Sequence, residues 1–562
     1  MKKKIILPIL FIIICSAVFA QTVHDPNSDL YKDIDRWFVQ GYITEFLPMV
    51  RPYPPKLINN LLDQVIANGN TREREQAEKY RDELAPGSRF LNIGTHVFIQ
   101  GNDEDYNIIA APYAEGLFHI RNLFTASYNL TFFSFTNPNG ESFNVPGTYT
   151  QYPDLVDDNA DIGSFRILQN WTSLVAIGSS DIYFQAGLSR SSFGPFYDNG
   201  IVVGPQAPRA GHFSFMYWDP LWSMEILFQT LIATDDYGKG SFPSKYNIIH
   251  SLNIRPLKNL ELGIVQALVY GERLDILYLV PFSFLFGSQT INGFDDNAFI
   301  GLNFRWRPFT GFLVSGQVYI DDFSFNGLLK GDIYFKAAAE IGISWAPTNK
   351  ILSKLDFDYT AVTPYTYSHW HETWGNKYNG QNPNHPDYPF SPPIGDQEPR
   401  IGNFLNYTHM GRNIGPDLDP NSDRISVRSY WKVIPNLNVN LSAYLIRHGN
   451  ASAGKDLLDP AYHDGSIFDA GTTDPWITLT PNDENYYQSM YFLSQDVLET
   501  RLGGTIGIIY TIPSSFGVFK LVGEYGIQHT WNRWNRNINP MGPEKGNNGF
   551  DHFWSIGCMW SW

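Results

Sequence analysis

Residues 553–562 read Phe553-Trp554-Ser555-Ile556-Gly557-Cys558-Met559-Trp560-Ser561-Trp562, and their alternation decides the fold. Trp554, Ile556, Cys558, Trp560 and Trp562 fall on one face. Ser555, Gly557 and Ser561 fall on the other, where Met559 alone breaks the polar pattern. A strand with three tryptophans on one side exposes apolar surface unless something covers it. Lipid covers it when the strand closes an outer-membrane β-barrel, apolar outside and small or polar inside.

The start of the chain agrees. Met1-Lys2-Lys3-Lys4 is a basic n-region, Ile5 to Ala17 an apolar core, and Val18-Phe19-Ala20 presents small residues at both key positions before Gln21. This reads as a cleaved secretory signal over 1–20. Cys15 would serve a lipoprotein signal, but Ile14 before it is too bulky for that cleavage. Beyond residue 20 no run reaches the ~20 apolar residues a membrane helix requires.

Removing those 20 residues from 562 leaves 542, too many for an average domain but ordinary for a large barrel. Aromatic residues make up 15% of the chain and charged residues only 17%, which suits a barrel with aromatic girdles at two interfaces. Losing Lys2, Lys3 and Lys4 moves the net charge from −16 to −19. Such acidity argues against nucleic acid as a partner, since that binding rests on clustered Lys and Arg. Cys558 then stands alone, so no intramolecular disulfide is expected.

Residues 27–86 have a helical period. Ser28 is placed to cap a helix carrying Leu30, Ile34, Trp37 and Phe38 on one face. Pro54-Pro55 opens a second, with Leu57, Ile58, Leu61, Leu62 and Val65, and Thr71 to Leu84 is a charged third. Sixty residues make only a marginal core alone. We therefore expect a bundle docked on the periplasmic mouth of the barrel, a segment spanning 21–90, with the barrel itself at 91–562.

From about Leu91 the period becomes two. Leu355, Phe357 and Tyr359 oppose Lys354, Asp356 and Asp358; Ile425, Val427, Trp431 and Val433 oppose Arg424, Ser426, Arg428 and Lys432; Phe519, Leu521, Tyr525 and Ile527 oppose Lys520, Glu524 and Gln528. Alternation alone also fits a sandwich. The connections decide. Eight short turns, six of them with proline, lie near 121–122, 179–180, 218–221, 255–259, 307–311, 346–351, 434–436 and 512–516, and nine longer polar stretches lie between them. Short turns on one side and long loops on the other mark an outer-membrane barrel, here of eighteen antiparallel strands.

Inward positions include Asn303, Arg305, Arg307, Asp356, Asp358, Arg424, Arg428 and Lys432. Charges inside a barrel either line a wet channel or pair with one another and fill it. A channel lined by these arginines would favour small anionic solutes.

Loop 364–401 is rich in rings and amides, among them Tyr365, Trp370, His371, Trp374, Tyr378, Asn379, Asn382 and Tyr388. Aromatic faces beside planar amides suit sugars, which offer C–H faces and hydroxyls, although aromatic enrichment at a membrane interface needs no ligand. His369-x-His371-Glu372 has the makings of half a metal site and finds no second cluster at a fixed spacing, so no metal and no cofactor is expected. Asp417, Asp419, Asn421 and Asp423 place oxygens at every second residue, as calcium loops do. Pro420 stiffens that run, Ser422 replaces the turn glycine, and no glutamate closes it. Thirteen scattered histidines supply no Ser/His/Asp or paired-acid set, and the chain reads as non-enzymatic.

Several stretches resemble the Wzi family of outer-membrane capsule-assembly proteins. They are Asp29-Leu30-x-x-Asp33-Ile34-x-x-Trp37 with Gly41-Tyr42-Ile43, Arg190-x-x-Phe193-Gly194-Pro195, Asp275-Ile276-Leu277 to Pro281, Asp296-Asn297-Ala298 to Pro308, Asp321-Asp322-Phe323, and Tyr407-Thr408-His409 before Gly415-Pro416-Asp417. The resemblance implies an eighteen-stranded barrel with a periplasmic helical bundle, located in the outer membrane. It implies a lectin-like protein that holds surface polysaccharide, with Tyr407, His409 and Asp417 as matching positions. Trp370, His371, Trp374 and Tyr378 join them as expected glycan contacts from the loop chemistry. Phe193 stands where the family often has tryptophan, and Asp198-Asn199-Gly200-Ile201-Val202-Val203 replaces a serine-rich strand. The expected partners are outer-membrane lipid, a surface polysaccharide, and the barrel-assembly machinery through the C-terminal strand.

Overall fold

The computed structural model describes residues 25–85, 91–102, 105–120, 124–136, 160–162, 165–232, 244–271, 273–292, 296–321, 336–348, 350–364, 366–367, 405–410, 412–449, 492–535 and 542–562. Eighteen antiparallel strands close into one barrel. In chain order they are β1 Asn92–Gly101, β2 Tyr106–Ile120, β3 Phe124–Phe135, β4 Phe165–Gly178, β5 Ile182–Ser189, β6 Ala210–Trp218, β7 Trp222–Leu231, β8 Lys245–Leu257 and β9 Leu260–Gly271. The second half runs β10 Asn297–Phe309, β11 Phe312–Asp321, β12 Lys336–Trp345, β13 Leu352–Val362, β14 Ser422–Ile434, β15 Leu437–His448, β16 Glu499–Ser514, β17 Gly517–Trp531 and β18 Gly549–Ser561. Each strand pairs with its successor, and a short piece, Ala160–Ile162, folds back on the start of β4. Six of the short connections carry a proline at or beside the reversal, where a residue without an N–H removes least from the ladder.

Closure joins the terminal strand to the first. In β18, Cys558 faces Val97 of β1 on one side and Leu521 of β17 on the other. Ser555 is buried inside while Ile556 is 65% exposed outside, as the alternation requires. Met559, the exception on the inner face, packs with Phe98, Ile109, Ala111, Phe133 and Val522 in an apolar cluster within the lumen. Around the wall, Leu252, Ile264, Leu302, Phe357 and Ile506 point outward and exposed, while Ser251, Glu261, Asn303 and Asp358 face in and are buried. An apolar exterior around a polar interior makes this a membrane-spanning barrel of the outer-membrane type.

Among the described residues three helices precede the barrel: α1 Asp29–Val39, α2 Pro55–Asn68 and α3 Thr71–Leu84. Proline opens α2, where its missing N–H costs nothing. Asn70 caps α3, its Oδ1 accepting from Glu73 N at 3.1 Å. Ser28 does stand at the N-cap of α1, but its side chain makes no capping hydrogen bond. The bundle has no closed core of its own. Trp37, Ile34, Ile58, Leu62 and Tyr80 share one cluster with Leu117, Tyr183, Met216 and Leu313 of the barrel. Each such fully buried side chain contributes about 1.5–3 kcal/mol relative to exposure, so docking is part of the bundle's folding.

Between β9 and β10 the chain forms a 3-10 turn, Ile276–Leu279, and a short helix α4, Leu285–Asn292.

Candidate functional site: a lumen filled from both ends

The floor is keyed by three acid–lysine pairs between α1 and three different strands. Asp29 meets Lys520 of β17 at 3.1 Å, Asp33 meets Lys432 of β14 at 3.1 Å, and Asp35 meets Lys354 of β13 at 2.5 Å. Lys520 holds the Asp29 carboxyl well below the usual carboxylate range. Burial pushes Asp33 up, but Lys432 and Arg36 beside it outweigh that, and its carboxyl also stays low. Glu73 behaves likewise: burial raises it, Arg36 at 2.6 Å lowers it more, and Trp37 Nε1 donates to the same carboxylate at 2.7 Å.

Arg305 and Arg307 serve the same floor. Arg305 pairs with Glu261 and donates to the Leu47 carbonyl. Arg307 donates to the carbonyls of Phe38 (2.8 Å), Ile43 (2.8 Å) and Thr44 (2.9 Å). Glu225 of β7 accepts from the backbone N–H of Met49 and Val50 at 2.8 and 2.9 Å.

The middle is filled by the connection between β5 and β6, which the sequence presented as a polar loop. It folds into the lumen instead, because Phe193, Ile201, Val202 and Val203 form an apolar nucleus that is wholly buried there. Its Ser192–Phe193 pairs with Val50–Arg51, the segment leading from α1. Asp198 reaches Arg428 of β14 at 2.5 Å, and Arg428 also holds Asp358 at 2.6 Å. Asn199 Nδ2 donates to Glu340 (2.7 Å) and Thr360 (2.9 Å). Asp356 takes Lys354 at 2.8 Å. Arg424, half-buried near Glu340, has an unbonded Nε.

The roof is aromatic. Phe299 and Tyr319 stack at 4.8 Å with 3° between planes, and Tyr367 and Tyr407 stack beside them at 5.3 Å. Tyr367 donates through its hydroxyl to Ile201 O at 2.6 Å and through its amide to Asp321 at 2.6 Å. His409 Nδ1 accepts from Ile232 N at 2.9 Å, which leaves Nε2 to donate to Arg209 O at 3.0 Å. Tyr407 and His409 were expected at a glycan surface. They are buried in this roof, where ring stacking and backbone hydrogen bonds engage them, while Asp417 is exposed. Trp370, His371, Trp374 and Tyr378 lie outside the described residues, as does the His369-x-His371-Glu372 run.

The oxygens at 417–423 do not converge. Asp423 is held by Arg447 at 2.5 Å and by the Tyr359 hydroxyl at 3.1 Å. Asn421 accepts from Leu493 N and donates to Gln495, both at 2.9 Å, while Asp417 and Asp419 are exposed. Among the described residues no group of three or more His, Cys, Asp or Glu is placed to hold a metal.

The opposite wall is less filled. Along β15 to β17 the inward residues Asn440, Ser442, Tyr444, Thr505 and Gln528 are half-exposed. Ser442 and Thr505 share a hydroxyl bond of 2.7 Å, and Tyr444 donates to Gln528 at 2.9 Å. At its outer rim His448 stacks on Trp534 at 4.3 Å, over Glu499, which accepts from Trp534 N and Arg501. The sequence offered no spacing that would have joined these residues, since they meet only through the barrel register.

No family model matches the chain, and no curated relative matches it. Among solved structures it is similar to Wzi of Escherichia coli, an outer-membrane protein involved in group 1 capsule assembly and described as a carbohydrate-binding β-barrel. The match has 12% identity and a TM-score of 0.53, and covers 96% of this chain and 99% of that one. The chain resembles Wzi in fold along almost its whole length. At lower TM-scores of 0.41 stand Acinetobacter baumannii OccAB2 and Pseudomonas aeruginosa OccD3, each 10% identical and matched over 84% and 85% of this chain and 97% and 92% of theirs.

Proposed function

We propose that this chain is a lectin-like, non-catalytic barrel of the cell surface that binds or organises a capsule-like polysaccharide. One observation carries the reading: three of the luminal arginines, Arg305, Arg307 and Arg428, are engaged inside the protein. An anion channel must present its arginines to solute. Arg305 faces Glu261, Arg307 faces helix-segment carbonyls, and Arg428 faces Asp198 and Asp358. A barrel whose lumen is largely filled by its own chain has to bind elsewhere, and the rings and amides in the sequence of 364–401 are the chemistry best suited to sugar. Wzi, similar in fold, is itself described as carbohydrate-binding.

A channel for small anionic solutes is the second reading, favoured by the half-exposed inner wall of β15 to β17. Planar-bilayer recording separates the two. A sealed binding barrel stays silent, and steady ion-selective steps from the intact protein would overturn the proposal.

A further inference from the structure

The connection between β9 and β10 does not stand above the barrel. It lies down its outer wall. Tyr278 and Leu285 pack on Met224, Ile226, Ile248 and Leu268, side chains of β7, β8 and β9 that alternate with the inward Glu225, Ser251 and Gln229. Phe282 reaches the Trp222 ring, centroids 6.2 Å apart. Gln266, midway along β9, donates to Ser283 O at 2.5 Å and accepts from Leu285 N at 2.9 Å. His250, its neighbour across the β8–β9 ladder, is buried close to the backbone of Tyr278 and Ser283, though neither ring nitrogen closes a hydrogen bond of good geometry.

Polar side chains on a lipid-facing wall need a reason, and here the reason is the backbone above them. Irregular chain survives at membrane depth only where its polar groups are satisfied by protein. Gln266 does this at the reversal, Asp275 accepts from Leu277 N at 3.0 Å, and Ser283 donates to Leu277 O. The reversal itself is a type II turn: Ser283 N donates to Val280 O at 3.1 Å, Pro281 fills the second position, and Phe282 fills the third at φ 65°. That third position favours glycine, so a phenylalanine there is strained and points to a surface that rewards an exposed ring. No charged residue occurs between Asp275 and Asp295, and Ile276, Phe282 and Phe284 are 73%, 64% and 59% exposed. Their outer face continues the exposed belt of Leu252, Ile254 and Ile264.

We propose that residues 275–292 form a re-entrant segment embedded in the membrane, docked on the barrel wall through Gln266 and covered by lipid acyl chains. The segment owes nothing to the glycan reading. The test uses the full chain with Cys558→Ser, a single cysteine at Phe282→Cys or Ile276→Cys, and a nitroxide label, reconstituted in phosphatidylcholine vesicles. A label at Asp419→Cys is the aqueous control, and heat-dependent gel migration shows that each variant has folded. Expected at 282 and 276 is relaxation by dissolved oxygen with loss of relaxation by a water-soluble nickel chelate. Gln266→Leu should raise label mobility at 282. Nickel access equal to that at 419 would place the segment in water, and exclusion of both relaxers would place it under a second protein surface; either result overturns the proposal.

Discussion

Lys354 Nζ lies 2.5 Å from Asp35 Oδ2, joining residues 319 positions apart in the chain. The same ammonium holds Asp356 at 2.8 Å, so one buried cation serves a helix acid and a wall acid together. Lys354→Met leaves both carboxylates without their partner. Removing one member of a buried ion pair costs about 3–5 kcal/mol, so the variant should unfold at lower denaturant in detergent. Asp35→Asn added to Lys354→Met should recover part of the loss. Equal unfolding midpoints for wild type and Lys354→Met would refute the pairing.

The floor should open with acid. Asp29, Asp33 and Glu73 are all held below their ordinary range, by Lys520, by Lys432 with Arg36, and by Arg36 respectively. A carboxylate depressed in the folded state contributes stability above its unfolded value, about 3.9 for Asp and 4.3 for Glu, and that contribution is lost as pH falls through the folded value. Docking of α1 should therefore be flat near neutrality and weaken only below about pH 4. Amide exchange along 29–39, compared at neutral and acid pH, reads this directly. Undocking between pH 8 and 6 would be the contrary result.

Removing the luminal insert should open a pore in a barrel expected to be silent when intact. Replacing 191–207 with a short Gly-Ser linker deletes Asp198 and Asn199 and the apolar nucleus, and leaves Arg428 with Asp358 alone and a face open to the lumen. Steady anion-preferring conductance is expected from that variant in planar bilayers and none from the intact chain. A variant as silent as wild type would mean that other elements seal the lumen.

Changing Trp370, Trp374 and Tyr378 together to alanine should weaken binding of a surface polysaccharide, each stacked ring being worth about 0.5–1.5 kcal/mol beyond its area. Tyr407→Phe, buried in the roof, should leave binding unchanged. The reverse pattern would move the glycan site from the outer loop to the lumen.

Loss of Trp560 to Trp562 should block assembly. Ser561 pairs with both Gly94 and Val518, and Trp560 Nε1 donates to Phe516 O at 2.8 Å, so truncation strips the end of both closing ladders. Normal amounts of truncated protein at the surface would contradict this.

Much of the barrel was legible because its signals are local. Proline at Asp219-Pro220, Arg307-Pro308 and Ile512-Pro513 marks chain reversals whatever lies around them, and period two sets which side chains face in. The helices were legible for the same reason, although the cap of α1 was not: Ser28 has the right chemistry, and only packing decides where its hydroxyl turns. The lumen was legible as charges but not as partners, since Asp198 meets Arg428 through a loop whose inward course no spacing encodes. The run Ile201-Val202-Val203 was the available hint, three apolar residues where a solvated loop would carry polar ones. Tyr407 and His409 were placed by resemblance, which transfers residue identity but not exposure. Gln266 and His250 contradict the outward apolar rule, and only the segment lying over them explains why.

The pairing of Val50–Arg51 with Ser192–Phe193 joins two pieces of chain that line neither wall. Its two halves arrive from opposite ends of the cylinder, the first before every wall strand and the second between β5 and β6. A stopper tied to both rims is held from each end, and neither half can leave the lumen without breaking the joint between them. Damage to either partner of that joint should therefore loosen the plug at both mouths of the cylinder.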